Sequence, residues 1–359
     1  MKTMRYKQRW LMAFCAFLAL SSFLCLGPLA HTADAAMNNI RLGTSKEGTI
    51  GYSCGVALAA TIKKNVKGMS MEAVPTPGST ASVKIFSRGD LDIAYCSTWT
   101  LRDAYNNLGP FAKSPIKRLP LQGWYYLTAD WIPVTSAKEK DLNTYQDMVG
   151  KKFYPFVAGS GIYDVYRAVF TKLGMWDKME NRQVGAMEAA DALKMGTVDV
   201  AGGYCLDKGQ TAPSWMRNLD TRMEIKVLRP SAAQMDKIAK IDGITFGKLS
   251  NKWMQPKNRK INSGDIYGWS IHYGFHPGNN MPTETMYQIY KTWIEKAKQD
   301  LAPVNGTLKF ASEHMMDLQV KGLLEAKDIP VHPGVAKYLK EKGLWNEALT
   351  IGKLAPGVK

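Results

Sequence analysis

One short sequence pattern occurs twice in this chain, and the repetition constrains the fold more than any other feature. The segment Gly-Asp-Leu-Asp-Ile-Ala at 89–94 leads directly into Tyr95-Cys96, and Gly-Thr-Val-Asp-Val-Ala at 196–201 leads, after two glycines, into Tyr204-Cys205. In both copies a glycine and an aspartate come before an apolar run, which is the pattern of a turn followed by a buried strand. Two structurally similar lobes, each of about 100 residues or more, are the simplest cause of such a repeat.

Strand-like and helix-like patterns alternate along the rest of the chain. Residues 40–42 and 69–74 predict strands, and the apolar spacing that follows each of them predicts a helix. The same order returns at 151–173, and a further strand is predicted at 269–275 before a long helix at 283–298. Strands separated by helices predict parallel βαβ units, so we expect an α/β protein with a mostly parallel sheet flanked by helices in each lobe.

The two lobes are expected to be discontinuous in sequence. Segments near 123–134 and 230–275 are expected to cross between the lobes and to act as a hinge beside a ligand cleft. Two further helices are predicted at 308–324 and 335–342. The expected organisation is a first lobe made of residues 37–130 and 231–359 and a second lobe made of residues 131–230.

The first 36 residues have the pattern of a cleaved secretory signal peptide. Four basic residues lie within the first nine positions and precede an apolar run at 10–26, which Gly27-Pro28 interrupts. Ala33-Asp34-Ala35 then supplies the small residues that a signal peptidase requires. The prediction is a mature protein that begins near Ala36 or Met37 and is soluble in the periplasm. The alternative is an uncleaved membrane anchor, because the apolar run is nearly long enough to span a bilayer.

The formal net charge of +16 limits the classes of partner. A basic exported protein attracts anionic solutes or membrane surfaces through its general field, although a solvated basic surface accounts for most of the lysines. The chain has no dense run of Lys and Arg and no nucleic-acid-binding motif, so nucleic acid is not an expected partner.

Cysteine and histidine patterns argue against a metal site and against catalysis. Cys54, Cys96 and Cys205 remain after the predicted cleavage, and their spacing matches no zinc pattern. Whether two of the three form a disulfide stays open. The sequence lacks a Gly-x-Ser-x-Gly elbow, a Walker loop and a His-Glu-x-x-His pair. We therefore expect no catalytic residues, no metal and no cofactor.

The segment Gly159-Ser160-Gly161 is the strongest single indication of a binding site. It follows a short apolar run, and apolar residues then recur at helical spacing from Ile162 to Leu173. Ser160 is a natural N-cap, and the first N–H groups of a helix have no internal partner and carry partial positive charge. An anion can bind there without an arginine. The alternative is an ordinary capped turn between a strand and a helix.

Five turns, this segment among them, are expected to share one edge of the sheet. In open parallel sheets ligands bind beyond the carboxyl ends of the strands. The turns at 44–52, 77–80, 96–99, 159–163 and 202–205 are rich in Gly, Ser, Thr and Tyr. They predict a neutral site for a charged solute, with aromatic walls. The predicted substrate-binding residues are Ser45, Thr49, Tyr52, Ser79, Thr80, Cys96, Ser97, Thr98, Ser160, Gly161, Tyr163, Gly203 and Tyr204.

The order of these motifs resembles the TAXI-type solute-binding proteins of TRAP (tripartite ATP-independent periplasmic) transporters over nearly the whole mature chain. The resemblance rests on the glycine turn at 43–52, on Pro77-Gly78-Ser79, on the segment at 89–94, on Gly150-Lys151-Lys152 leading into Gly159-Ser160-Gly161, and above all on the tail at 329–344. It implies a two-lobed, type II-like periplasmic binding protein that closes on a small organic anion.

The resemblance also implies what the protein does with its ligand. It would deliver the anion, as a monomer, to the membrane subunits of a TRAP transporter driven by an ion gradient. The chain departs from the family pattern at Lys46-Glu47, at 95–98 and at Ile162, so the identity of the ligand is not carried over. Two alternatives stay open: a sensory protein that presents its ligand to a membrane receptor, and an enzyme on the same scaffold.

Overall fold

Two long strands run side by side through the middle of the molecule and organise the rest of its sheet. Strand β4 spans Trp124–Ser136 and strand β10 spans Ile266–Pro277. They are antiparallel, with Phe275 opposite Trp124 and Trp269 opposite Trp131. Both strands are buried along almost their whole length, which is why they read as near-continuous apolar and aromatic runs in the sequence.

This computed structural model describes residues 39–158 and 160–359. The predicted signal peptide at 1–36 and Gly159 of the glycine-rich turn therefore lie outside the described residues. The remaining strands are β1 Asn39–Thr44, β2 Ser70–Pro75, β3 Ile93–Ser97, β5 Lys152–Tyr154, β6 Glu180–Asn181, β7 Val200–Leu206, β8 Ile225–Val227 and β9 Thr245–Leu249.

The strands form one sheet in which both long strands change neighbours halfway along. The sheet order is β2-β1-β3-β10-β4-β7-β5-β6, with β8 against β4 and β9 against β10. Residues 273–277 of β10 pair with β3, whereas residues 266–270 pair with β9. On β4, residues 129–134 pair with β7. The sheet therefore has a first half around β1–β3 and a second half around β5–β9, joined by β4 and β10.

Helices cover both halves of the sheet, as the alternating pattern predicts. Over the described residues they are α1 Ile50–Asn65, α2 Ser79–Ser87, α3 Thr98–Asn106, α4 Gly161–Lys172, α5 Ala189–Lys194, α6 Ser214–Arg222, α7 Ala232–Ala239, α8 Pro256–Ile261, α9 Thr283–Asp300, α10 Gly306–Glu313, α11 Met315–Glu325 and α12 Pro333–Glu341. Across 39–158 and 160–359, none of the helices combines the length and the apolar character needed to cross a bilayer.

The α/β class and the two-lobed arrangement expected from the sequence are confirmed, and two local predictions are corrected. The strand predicted at 151–158 ends at Tyr154, because Pro155 has no N–H to donate and Phe156 has a φ of 88°. The helix predicted at 308–324 is two helices, α10 and α11, separated at His314, whose φ and ψ of −119° and 20° are not helical.

The expected lobe boundaries stay a proposal. The pairing of β9 with residues 266–270 favours a second lobe that continues to the start of β10. Helix α8 supports this extension, because Asn258 accepts a hydrogen bond from the backbone N–H of Ile225 on β8. We therefore propose that residues 231–265 belong with the second half.

One buried glutamine attaches a helix to the part of β4 that has no strand on its outer side. Gln319 of α11 is fully buried, and its Oε1 accepts a hydrogen bond of 2.9 Å from the Tyr125 N–H. Its Nε2 donates to the Tyr125 carbonyl oxygen at 2.6 Å. The side chain thus replaces the missing strand, because buried backbone groups need partners.

Replacing Gln319 with Leu is expected to destabilise the protein strongly. The change leaves the N–H and the C=O of Tyr125 buried without partners, at about 1–3 kcal/mol for each group, so the free energy of unfolding should fall by roughly 2–6 kcal/mol. Gln288→Leu is the control, because Gln288 also lies on a helix but bonds only to Glu284 near solvent, and it should change stability by about 0.5 kcal/mol or less. Urea denaturation measures both. Equal loss in the two variants would contradict the role given to Gln319.

Candidate functional site

A cavity of 320 Å³, here called the cleft cavity, lies between the two halves of the sheet. The first half contributes Ser45, Ser79 and Tyr95, and the second half contributes Tyr204 and Trp215. Leu127, Ala129 and Tyr273 of the crossing strands also line it. The cavity therefore occupies the position in which a movement of one half against the other would open or close it.

Four helices begin at the wall of the cleft cavity. The lining includes the first residues of α1 and α2 from the first half and of α4 and α6 from the second half. The first N–H groups of each helix lack an internal acceptor and carry partial positive charge. Asp164 of α4 is the one acidic residue in the first turns of these four helices. Two positive helix ends thus face the cavity from each side.

The side chains around these helix ends are almost all neutral. Among the described residues that line the cavity, Lys46 is the one that carries a charge. Ser160 is the N-cap of α4, and its Oγ accepts a hydrogen bond of 3.2 Å from the Tyr163 N–H while donating one of 2.7 Å to the Val157 carbonyl. The hydroxyl of Ser160 is thus occupied by capping, so the backbone N–H groups that follow it are the groups available to an anion.

Gly161 brings the start of α4 against the first half of the sheet. A Cβ atom at Gly161 would lie 3.4 Å from the Tyr273 hydroxyl and 3.6 Å from both Ser79 Oγ and Thr100 Oγ1. These distances are ordinary van der Waals contacts, so a single methyl group at this position would already touch residues of the first half. The two halves therefore approach each other closely at this point.

Aromatic rings form a continuous wall from one half to the other. Tyr273 stacks on Tyr95 at 5.9 Å between ring centroids, and it lies 6.5 Å from Trp131. Beyond Trp131, the ring of Tyr204 lies 5.8 Å from Trp215. Aromatic rings at these separations attract one another and present flat apolar surface to a ligand.

The tyrosine hydroxyls in this wall are hydrogen-bond donors rather than charged groups. The hydroxyls of Tyr95 and Tyr126 lie 3.3 Å apart. Burial raises the pKa of Tyr95, Tyr126 and Tyr273 far above the ordinary value and raises the pKa of Tyr204 to about 12. The glycine at position 51 permits this arrangement, because a Cβ atom there would lie 2.9 Å from the Tyr126 hydroxyl.

Phe156 shows that the backbone beside the cavity is strained. Its φ of 88° is uncommon for a residue other than glycine, and its side chain lines the cavity and packs 5.6 Å from Trp215. Strain of this kind is maintained only where the surrounding packing fixes it, and it is concentrated at binding and catalytic sites.

Six of the predicted site residues lie together in the cleft cavity. They are Ser45, Thr49, Ser79, Ser160, Gly161 and Tyr204. The Oγ of Ser45 and the Oγ1 of Thr49 lie 2.6 Å apart, so these hydroxyls bond to each other at the start of α1. Their role as ligand contacts stays a prediction.

Three of the other predicted residues lie where β3 passes into α3, outside the lining of the cavity. Cys96 is fully buried inside the strand. Ser97 is the N-cap of α3 and accepts a hydrogen bond from the Thr100 N–H at 3.2 Å. Thr98 Oγ1 donates to Glu325 Oε2 at 3.0 Å, on the side of the sheet away from the cavity. The side chains of Ser97 and Thr98 thus have structural partners in this arrangement.

The last four predicted residues also lie outside the lining. Tyr52 and Thr80 are half-buried in the first turns of α1 and α2. The ring of Tyr163 packs edge-on against Trp176 at 5.5 Å. The carbonyl oxygen of Gly203 accepts a hydrogen bond of 2.5 Å from the Tyr166 hydroxyl.

The sequence prediction missed the crossing-strand tyrosines and the whole of α6. Tyr126 and Tyr273 reach the cavity because two strands that are far apart in sequence pair with each other, and no local sequence pattern predicts that pairing. For α6 a signal existed: Pro213-Ser214-Trp215 precedes Met216, Leu219 and Met223, which are spaced as one face of a helix.

Cysteines and histidines do not contribute to the cleft cavity. Cys54, Cys96 and Cys205 are buried and free, which answers the open question about a disulfide among them, and burial raises the pKa of each thiol. No histidine of the described chain lines this cavity. Over the same residues, no group of three His, Cys, Asp or Glu side chains is placed to hold a metal ion.

Comparison with known proteins gives one family match. Residues 42–343 match the sequence profile of the NMT1-like family. Among solved structures, the alkanesulfonate-binding protein SsuA from Xanthomonas axonopodis pv. citri bound to MOPS is 14% identical, with a TM-score of 0.42 over 91% of this chain and 99% of that chain. The periplasmic aliphatic sulphonate binding protein SsuA from Escherichia coli is 14% identical, with a TM-score of 0.38 over 84% of this chain and 78% of that chain.

Two carboxyl groups approach each other where α3 of the first half contacts α4 of the second. Asp103 is 8% exposed, and the Asp164 side chain is 11% exposed. Burial, and then the nearby Asp164 carboxylate, raise the pKa of Asp103 to about 6, although Trp99 and Arg167 act in the opposite direction. Ionisation of Asp103 therefore opposes contact between the two halves.

The Asp103→Asn variant is expected to be more stable than the native protein near neutral pH. A carboxyl whose pKa is about 6 when folded and 3.8 when unfolded contributes stability that is complete below about pH 4 and is lost as the pH rises through 6. The gain near neutral pH should be on the order of 1–3 kcal/mol and should vanish in acid. Thermal unfolding at a series of pH values measures it, with the exposed Asp90→Asn as the control. A gain that does not depend on pH would contradict this assignment.

Proposed function

Because the chain belongs to the NMT1-like family, a family of periplasmic solute-binding proteins, we propose that it captures a small organic anion and delivers it to membrane transport subunits. One observation carries the proposal: two helix N-termini from each half of the sheet meet at a neutral cavity. A site of this kind attracts an anion only when both halves are near it, so capture is linked to closure.

The energy of binding comes from the backbone. A helix end stabilises an anion by about 0.3–1 kcal/mol at an exposed site and by up to about 2 kcal/mol in a partly buried one. Each hydrogen bond from an N–H group to a charged acceptor adds about 1.5–3 kcal/mol. The N–H groups at the starts of α2 and α4 would reach the anion from opposite sides, and the hydroxyls of Tyr95 and Tyr126 are neutral donors beside them.

The wall of the cavity narrows the class of ligand. Tyr95, Tyr204, Tyr273 and Trp215 present apolar faces, and Lys46 is the one charged side chain in the lining drawn from the described residues. A second carboxylate on the ligand would lose its hydration without gaining a cationic partner. Among dicarboxylates, amino acids and related acids, this favours a compact acid with one net negative charge and an apolar or aromatic body.

The sequence supports a more specific proposal for the type of transporter and for export. The tail at 329–344 and the glycine turns support a TAXI-type protein that serves TRAP membrane subunits. The basic and apolar pattern of residues 1–36 supports export through a cleaved signal peptide. We also propose that the protein binds its ligand without turnover and acts as a monomer.

A screen of matched ligands tests whether the cavity binds an anion. The thermal shift is measured with phenylacetate, with its neutral amide and with the dianion succinate. The acid and its amide differ in charge, whereas phenylacetate and succinate differ in the number of charges and in the apolar body. Phenylacetate should raise the melting temperature at least as much as succinate, and the amide should have little effect, because it lacks the charge that the helix ends stabilise. Equal shifts with the acid and its amide would contradict an anion site.

Replacing Gly161 with Val is expected to weaken binding of the responding acid at least about tenfold, or by about 1.4 kcal/mol. The branched side chain would press on Tyr273, Ser79 and Thr100, which a single Cβ atom already contacts. Ser160→Ala should weaken binding less, because it removes a cap but leaves the backbone N–H groups in place. Calorimetry measures all of these affinities.

Gly306→Val is the matched control for this substitution. Gly306 is also the first residue of a helix, α10, and a Cβ atom there would meet nothing within 4 Å. Its affinity should equal that of the native protein. Unchanged affinity in a folded Gly161→Val protein would place the anion elsewhere, with Lys46 as the next group to test.

A further inference from the structure

A second cavity, of 630 Å³, lies on the opposite face of the crossing strands and is here called the hinge cavity. Adjacent residues of a strand point to opposite faces of a sheet. Leu127 and Ala129 line the cleft cavity, whereas Thr128 between them lines the hinge cavity. In the same way, Tyr273 faces the cleft cavity and His272 the hinge cavity. Helices α10 and α11 supply the outer wall.

Three buried polar atoms at this cavity have no hydrogen-bond partner among the described residues. They are Thr128 Oγ1, Asp207 Oδ2 and His272 Nε2. The three residues are direct neighbours: Thr128 lies opposite His272 in the β4–β10 pairing, and the Asp207 N–H donates to the Thr128 carbonyl at 3.0 Å. A buried polar group without a partner is unfavourable, so a ligand that supplies hydrogen bonds to these groups would be favoured.

The other carboxylates around the hinge cavity already have partners. Glu325 accepts hydrogen bonds from the His272 N–H at 3.0 Å and from Nδ1 of the same ring at 2.6 Å. Asp317 pairs with Lys321 at 2.7 Å. The Oδ1 of Asp207 accepts one long bond of 3.3 Å from the Thr128 N–H, and in the described part of the chain Asp207 makes no ion pair within 4.0 Å. Asp207 is therefore the carboxylate that a bound cation would neutralise.

The ring of His272 adds an acceptor beside Asp207. Because its Nδ1 faces the Glu325 carboxylate, Nδ1 is assigned as the protonated nitrogen, and a neutral ring then leaves Nε2 as an acceptor. Asp207 Oδ2, His272 Nε2 and the oxygen of Thr128 are thus three acceptors on neighbouring residues that line the hinge cavity.

We propose that the hinge cavity binds a small organic cation through a primary ammonium group. An ammonium group has three N–H donors and one positive charge, which match the three acceptors and the unpaired carboxylate. Phe310 and Leu318 line the same cavity and would cover an apolar body, and an aromatic ring also stabilises a nearby cation. An organic cation fits better than a metal ion, since the described residues hold no cluster of three metal-ligating side chains.

Binding of the cation would release a proton. Burial, and then the carboxylate of Asp130, raise the pKa of Asp207 well above its ordinary value, which favours the protonated carboxyl in the free protein. The ammonium group replaces that proton as the partner of the carboxylate, and affinity should rise with pH. The titratable and charged groups that surround Asp207 are Asp130, Lys208, His272, His314, Asp317, Lys321 and Glu325.

Calorimetry with butylammonium as the probe tests the proposal on the full mature protein. 1-Butanol and tetramethylammonium are the control ligands, because the first lacks the charge and the second lacks the N–H donors. We expect saturable binding of butylammonium that exceeds the binding of both controls by at least about tenfold. No saturable binding of butylammonium, or equal binding of either control ligand, would overturn the proposal.

Asp207→Asn removes the charge while keeping the shape of the turn, because asparagine tolerates the φ of 55° at this position. It should weaken the binding of butylammonium at least about tenfold, whereas the control Asp90→Asn, whose exposed carboxylate pairs with Arg88 outside the cavity, should change the affinity by about twofold or less. Native-like affinity in Asp207→Asn would overturn the proposal. If that variant does not fold, the native protein decides: affinity that does not rise between about pH 5 and pH 8 would also overturn it.

Discussion

The antiparallel pairing of β4 with β10 is the interaction on which the rest of the structure depends. The two strands join the halves of the sheet, because β10 pairs with β3 of the first half and with β9 of the second, and β4 pairs with β7 of the second. Gly274 permits the pairing of β4 with β10, because a Cβ atom there would collide with the carbonyl oxygen of Trp124. Since alternate residues of these two strands face opposite sides, the same pairing builds the cleft cavity and the hinge cavity. The two cavities therefore share the same two strands as a common wall.

The proposed way of holding an anion depends on backbone dipoles rather than on a charged clamp. Arginine would bind an anion in the open protein almost as well as in the closed one, because its charge acts at a distance. The electrostatic effect of a helix end falls off within about one turn, so helix ends in both halves bind most tightly a ligand that touches both halves. Gly161 of the second half lies close to Ser79 of the first, so a ligand at this point would touch both halves. The hydroxyl of Ser160 caps α4 and so orients the turn that places Gly161 there.

Local sequence patterns predicted the individual strands, helices and caps of this site better than the way in which they come together. The caps at Ser97 and Ser160 and the strands and helices of the first half follow from spacing over a few residues, and the structure agrees. Cys96 follows the same turn logic yet lies inside β3, because the strand continues one residue further than its apolar pattern suggests. Tyr126 and Tyr273 meet at the cavity through a register between strands far apart in sequence, and a single sequence carries no local record of that register.

We propose that the two halves close about the crossing strands when the cleft cavity is filled. Spin labels on Lys67→Cys and Lys194→Cys, one exposed position in each half, report the distance between the halves by double electron–electron resonance. Cys54, Cys96 and Cys205 are buried and should not take the label. The account predicts a shorter and narrower distance distribution with the best-binding acid than without it. The same distribution with and without saturating ligand would contradict it.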